Sequence, residues 1–271
     1  MSKVVVVTSG KGGVGKTTST AALGAALAQT GDKVAVVDFD VGLRNLDLIM
    51  GAERRVVFDL INVVQGDAKL HQALIKDKRL ETLSLLAASQ TRDKDALTAT
   101  GVARVINELR QKFDWVVCDS PAGIERGATL AMRHADTAIV VSNPEISSVR
   151  DSDRIIGLLD SKTLKAEKGE ELDKHLLITR YDGERAGRGE MLTNEDVLEI
   201  LSIPLLGIVP ESQEVLRASN LGAPVTISSP MCAPARAYRD AVRRLKGETV
   251  AMSVPSDQTG FFSKIFGRRA A

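Results

Sequence analysis

The sequence predicts an α/β fold, a mostly parallel sheet with helices on both faces, on three observations. Short runs rich in Val, Ile and Leu alternate with helical stretches along most of the chain. Several of these runs are apolar throughout, not at every second residue, which implies strands buried on both faces. The first run, Val4-Val5-Val6-Val7, leads directly into Gly10-Lys11-Gly12-Gly13-Val14-Gly15-Lys16-Thr17-Thr18, which fills the pattern G-x-x-x-x-G-K-[ST] between a strand and a helix. That context makes the run a phosphate-binding loop and the fold a P-loop nucleoside triphosphatase.

In order along the chain, strands are expected at 4–7, 34–38, 83–87, 115–119, 138–142, 176–179 and 205–209. Helices are expected at 18–29, 58–65, 102–112, 148–159, 194–201, 214–220 and 234–245, the alternation of right-handed βαβ units. In such a sheet, ligands sit at the carboxyl ends of the strands.

Composition bounds the rest. With 271 residues, 44% hydrophobic, and 36 basic against 35 acidic side chains, the chain is expected to form one large globular domain, or at most one plus an appendage. Charge this balanced gives no support for a nucleic-acid partner. No run of eighteen apolar residues occurs, and the first strand begins just after Met1-Ser2-Lys3, so the expectation is a protein that neither spans a membrane nor is secreted. Cys118 and Cys232 lack metal-ligand spacing and are expected to be incidental thiols.

The loop's chemistry follows from its residues. Gly10, Gly12, Gly13 and Gly15, with Val14 among them, let backbone N–H groups turn toward phosphate oxygens at a helix N-terminus. Lys16 is placed to reach the β- and γ-phosphates of ATP, Thr17 to offer its hydroxyl to Mg²⁺, and Thr18 to lie near the α-phosphate. Lys11 would crowd the same phosphates if both lysines served one nucleotide. Its residue type leaves open a solvated loop lysine or a role toward another chain's nucleotide. Carboxylates end two strands facing the loop: Asp38 and Asp40 in Val37-Asp38-Phe39-Asp40, and Asp119 before Ser120-Pro121-Ala122-Gly123. Asp119 and Asp38 are candidates for Mg²⁺ and Asp40 for orienting the attacking water, although each could also cap its turn.

The box Lys11-Gly12-Gly13-Val14-Gly15-Lys16-Thr17-Thr18 resembles the deviant Walker A box of the MinD/ParA ATPases. The likeness extends through the run at 39–51, Asp119-Ser120-Pro121-Ala122-Gly123, the run at 147–154 and Val215-Leu216-Arg217-Ala218-Ser219-Asn220, nearly the whole chain. It implies a membrane-associating ATPase that dimerises with ATP, recruits the septation inhibitor MinC, is stimulated by MinE and places the division septum from the cytoplasmic face of the inner membrane. It further implies that Lys11 crosses the dimer interface, that Asp38 and Asp40 belong to switch I, and that Asp119 and Gly123 belong to switch II. Arg44, Ser148, Asp151 and Asp153 are then expected on the partner surface. The family commonly has Thr-Arg-Tyr-Asn where this chain has Thr179-Arg180-Tyr181-Asp182, and an ionised Asp only accepts hydrogen bonds. Arg180, Asp182, Pro210 and Glu211 are the expected base-pocket residues. A ParA-like ATPase that coats DNA is the alternative.

The end of the chain carries a second signal. A Pro/Ser-containing stretch at 247–259 reads as a linker between an ATPase domain at 1–246 and a tail at 260–271. On a helical wheel Phe261, Phe262, Ile265 and Phe266 share one face, flanked by Lys264 and Arg268. This is the pattern of a short basic amphipathic helix lying on anionic lipid.

Overall fold

The computed structural model describes residues 2–90, 92 and 94–254. Its sheet has eight strands: β1 (Lys3–Thr8), β2 (Val34–Asp38), β3 (Ile75–Lys76), β4 (Leu83–Leu86), β5 (Trp115–Asp119), β6 (Thr137–Ser142), β7 (Asp173–Tyr181) and β8 (Leu205–Pro210). Their order across the sheet is β3-β4-β2-β5-β1-β6-β7-β8. All pairs are parallel except β3 on β4.

Both faces of this sheet are covered, which is why its central strands carry apolar residues at consecutive positions. Val4 and Val6 point into one apolar layer, under the helices Leu60–Gln65, Ala99–Lys112, Arg126–Met132, Ile146–Lys162 and Asn194–Leu201. Val5 and Val7 point into the other, under Lys16–Gln29, Gln213–Asn220 and Ala233–Leu245. The chain leaves β1 on the second face and crosses from β5 to β6 on the first. The carboxyl ends of β5, β1 and β6 therefore open into one crevice.

The departures from the sequence expectation have local causes. β7 begins at Asp173 because pairing with β6 continues down to Thr137, although Asp173-Lys174-His175 carries no strand-like pattern. β3 is two residues long and antiparallel, too short to leave a periodic signal. The helix Arg126–Met132 was not expected, being a short apolar stretch just after a glycine turn. Cys118 is buried on β5, where burial pushes its thiol up to about 12, and both cysteines are free. No helix among the described residues is long and apolar enough to cross a membrane. The linker from residue 255 onward and the tail at 260–271 lie outside the described residues.

Candidate functional site

The phosphate loop joins β1 to the helix Lys16–Gln29, so the N-terminal amides of that helix face the crevice. Gly13 and Gly15 adopt φ of 80° and 92°, a region that side chains with a Cβ rarely enter. Gly10 is held to glycine for a different reason. A Cβ there would run into the main-chain carbonyl of Asp151, because the helix Ile146–Lys162 packs directly on the loop. Two further ties hold the loop's shape: the Thr179 hydroxyl donates to the Val14 carbonyl (2.6 Å), and Gly123 N–H donates to the Ser9 carbonyl (3.0 Å).

The structure brings Lys16 and Asp119 together. Lys16 is buried, and its Nζ donates to Asp119 Oδ1 at 3.3 Å, an oxygen that also accepts from the Thr20 hydroxyl at 2.9 Å. Asp119 Oδ2 is buried with no hydrogen-bond partner among the described residues. A bare carboxylate oxygen beside the loop, with half-buried Thr17 next to Lys16, suits Mg²⁺, which takes few protein ligands and keeps its bonds to water and phosphate. Asp38 departs from the expectation. It is fully buried and uses both oxygens on the backbone of the segment that follows β2, accepting from Asp40 N–H (2.8 Å) and Leu46 N–H (3.3 Å). Burial, and then the neighbouring Asp119, hold its carboxyl well above the ordinary value. Asp40 is half-buried on the wall of a cavity of about 10 Å³, formed with Phe39, Pro121 and Glu125, which has room for about one water.

Lys11 lies at the other end of the loop and turns outward. Its Nζ donates to Glu145 Oε2 at 3.0 Å and to Ser147 Oγ at 3.1 Å, with the lysine side chain 41% exposed. The hydrogen bond from Lys11 holds the Glu145 carboxyl below its ordinary value. No motif pointed to Glu145. It arrives because β6 lies beside β1, so the loops leaving the two strands meet.

On the far side of the loop a cavity of about 330 Å³ is walled by Thr18, Arg180, Pro210, Glu211, Ser219 and Tyr238. Asp182 is not part of that wall; its Oδ1 accepts from Arg185 N–H at 3.1 Å and caps the helix Gly183–Gly187. The Tyr238 hydroxyl shares a hydrogen bond with Ser19 Oγ (3.0 Å), and burial raises it to about 12. Of the expected partner-surface residues, Asp153 is exposed and Asp151 half-buried. Ser148 faces inward on Ser142 Oγ (3.1 Å), and Arg44 folds down onto Asp47 (2.6 Å). Phe261, Phe262, Lys264, Ile265, Phe266 and Arg268 lie outside the described residues.

Sequence reasoning missed Thr20, Thr179 and Glu145. Thr20 alone left a signal, since it stands four residues after Lys16 and so on the same helical face. Arg79 was missed as well. It pairs with Asp77 (2.7 Å) and donates to the carbonyls of Met50 (2.9 Å) and Gly222 (3.0 Å), tying the end of the helix Leu46–Ile49 to the loop that follows the cavity helix Gln213–Asn220.

Comparison with known proteins agrees with this geometry. Residues 5–225 match the CobQ/CobB/MinD/ParA nucleotide binding domain. The septum site-determining protein MinD of Neisseria meningitidis is 59% identical over 271 residues, covering 98% of this chain and 100% of that protein. MinD of Escherichia coli K12 is also 59% identical, over 270 residues, with the same coverage. Among solved structures, the MinC:MinD cell division complex of Aquifex aeolicus superposes with a TM-score of 0.84 at 40% identity, covering 93% of this chain and 99% of that one. MinD of Pyrococcus horikoshii with Mg-ADP gives 0.79 at 31% identity, covering 90% and 96%. The chain belongs to the MinD group of the CobQ/CobB/MinD/ParA nucleotide-binding family.

Proposed function

We propose that this chain is an ATP-hydrolysing switch that controls where the division septum forms: it dimerises with ATP, binds the cytoplasmic face of the inner membrane, recruits MinC and turns over under MinE. The observation that carries the reading is the divided phosphate loop, with Lys16 buried on Asp119 and Lys11 held outward on Glu145. Full-length likeness to MinD proteins and the Aquifex MinC:MinD complex support the division role and MinC as partner. The Pyrococcus MinD with Mg-ADP supports ATP and Mg²⁺ as the ligands.

In this reading the amides of Gly12 to Thr17 and the Lys16 ammonium cradle the β- and γ-phosphates, with Thr18 near the α-phosphate. Thr17 directly and Asp119 Oδ2 through water would hold Mg²⁺, which would offset charge on those phosphates. Asp40 orients a water against the γ-phosphorus, and the bond from that phosphorus to the ADP oxygen breaks as the new one forms. Lys11 leaves Glu145 and reaches the partner's nucleotide, so hydrolysis requires two chains. Arg180, Pro210 and Glu211 wall the base, with Asp182 shaping the turn behind them. Exposed Asp153 and half-buried Asp151 offer acidic contacts to a partner. Ser148 and Arg44 act in that surface by holding its backbone.

The tail at 260–271, beyond the linker at 247–259, supplies the lipid contact. A single short amphipathic helix binds a membrane weakly, and an ATP-linked dimer presenting two tails raises the avidity by about 10²–10⁴. The deciding experiment is pelleting with anionic vesicles in ATP and in ADP, with a DNA mobility-shift control. Pelleting in ATP alone is expected. Equal pelleting in both nucleotides would remove the switch, and ATP-dependent DNA binding without pelleting would favour the ParA-like reading.

A further inference from the structure

Charge is distributed unevenly along this nearly neutral chain. After Cys232 there are eight basic and three acidic residues, and five of the eight, Arg236, Arg239, Arg243, Arg244 and Lys246, fall in or just after the helix Ala233–Leu245. The structure separates these five by what holds them. Lys246 pairs with Asp32 (2.7 Å) and Arg243 with Glu248 (2.7 Å). Arg244 is turned back onto the sheet edge, donating to the carbonyls of Leu206 (2.8 Å), Val250 (3.0 Å) and Ala251 (2.6 Å). Arg236 and Arg239 keep their charge: Arg236 is exposed and donates only to the neutral carbonyl of Met231, and Arg239 has no hydrogen-bond or ion-pair partner among the described residues. Three residues apart on one helix, the two lie on the same side. Beside them Met231 is 77% exposed. Uncompensated arginines with an exposed apolar side chain make a surface suited to the interface of an anionic membrane.

The position of the chain end points to the same occupant. Arg244 staples the outgoing chain along β8, so that Met252, Ser253 and Val254 line one cavity of about 520 Å³ together with Arg236 and Asp240. From Val254 to the first tail residue, Gly260, the chain spans at most about 20 Å. A tail inserted in lipid therefore keeps this helix close to the membrane. The helix lies on the sheet face opposite Ile146–Lys162, so lipid here leaves the partner-facing helix open.

We infer that Arg236 and Arg239, with Met231, form a second contact for anionic lipid headgroups, which orients the ATPase body on the membrane once the tail has inserted. The inference rests on the membrane reading above and adds a site on the folded body. Each arginine near an anionic surface contributes about fivefold in binding, equivalent to about 1 kcal/mol. Nucleic acid is the less favoured occupant, because two arginines beside a methionine match a lipid interface better than an extended phosphate track.

The test uses the full chain with ATP, pelleted with phosphatidylglycerol-containing vesicles and with phosphatidylcholine vesicles. Arg236→Gln/Arg239→Gln is expected to weaken anionic-vesicle binding by about five- to thirtyfold, to flatten its salt dependence and to leave ATP-dependent dimerisation unchanged. The charge-matched control Lys162→Gln/Lys168→Gln, on the helix layer across the sheet, is expected to change binding less than about twofold. Wild-type binding by the arginine variant, or an equal loss in the control, overturns the site while leaving the membrane reading intact. If the arginine variant loses DNA binding and keeps vesicle binding, the occupant is nucleic acid and the inference fails. If the wild-type chain does not pellet at all, the membrane reading fails and the inference fails with it.

Discussion

Lys11 and Lys16 stand at the two ends of one loop, yet the fold treats them in opposite ways. Lys16 is 7% exposed and reaches a buried carboxylate that Thr20 also grips; Lys11 is half in solvent, on a glutamate that is itself 54% exposed. A buried pair is held in place because separating it strands a charge in a medium that solvates it poorly. An exposed pair is screened by water and salt and opens at little cost. One end of the loop is thus preorganised for its own nucleotide, and the other is parked where a second chain's phosphates could compete for it.

The largest expected difference comes from removing each lysine in turn. Lys16→Ala leaves Asp119 buried without its cation, and urea unfolding of the nucleotide-free protein should register a loss of about 3–5 kcal/mol. Nucleotide affinity, by calorimetric titration, should fall at least about a hundredfold. A stability change under about 1 kcal/mol would mean that the pair is not the anchor its burial indicates.

Asp40→Ala should slow single-turnover hydrolysis by about 10²–10⁴-fold while ATP-dependent dimers persist, since water positioning is lost and the ground-state phosphate contacts are not. Wild-type turnover by this variant would leave the small cavity beside switch II without a role. Lys11→Ala sharpens the contrast from the other end. Its stability should stay within about 1 kcal/mol of wild type and its nucleotide affinity within about fivefold, with ATP-dependent dimerisation lost in light scattering. Normal dimers would confine Lys11 to its own chain.

The smallest effect concerns the parking contact. Because Lys11 holds the Glu145 carboxyl below its ordinary value of 4.5, the pair contributes stability at pH above that value and loses it as pH falls through the lowered one. Glu145→Gln should therefore differ slightly from wild type in thermal unfolding near pH 7 at low salt, and the difference should vanish once pH has fallen through the lowered value or in about 1 M salt. A difference that survives both conditions would make the contact more than an exposed ion pair.

Much of the site was legible because its signals are local. Gly13 and Gly15 are required by backbone angles within the loop, and Lys16 follows directly at the start of the helix Lys16–Gln29. The all-apolar strands were legible for the same reason, each being buried by its own composition. What escaped notice depends on where the folded backbone aims each side chain. Asp182 was expected in the base pocket by resemblance, and its carboxylate caps the helix Gly183–Gly187, accepting from Arg185 N–H. Ser148 stands on the expected partner helix but at a position turned toward Ser142. Gly10 matched the motif, whereas its physical reason is the backbone of a helix more than a hundred residues away.

The sequence by itself therefore determined that this chain makes a phosphate loop between a buried strand and a helix, because the glycines, the lysine and the apolar run act within a few residues of one another. The surroundings of the two lysines were decided only by the tertiary structure. With β5 on one side of β1 and β6 on the other, Asp119 arrives under Lys16 and Glu145 arrives beside Lys11. Strand order follows from how whole layers of side chains bury one another, and no local run of residues encodes it.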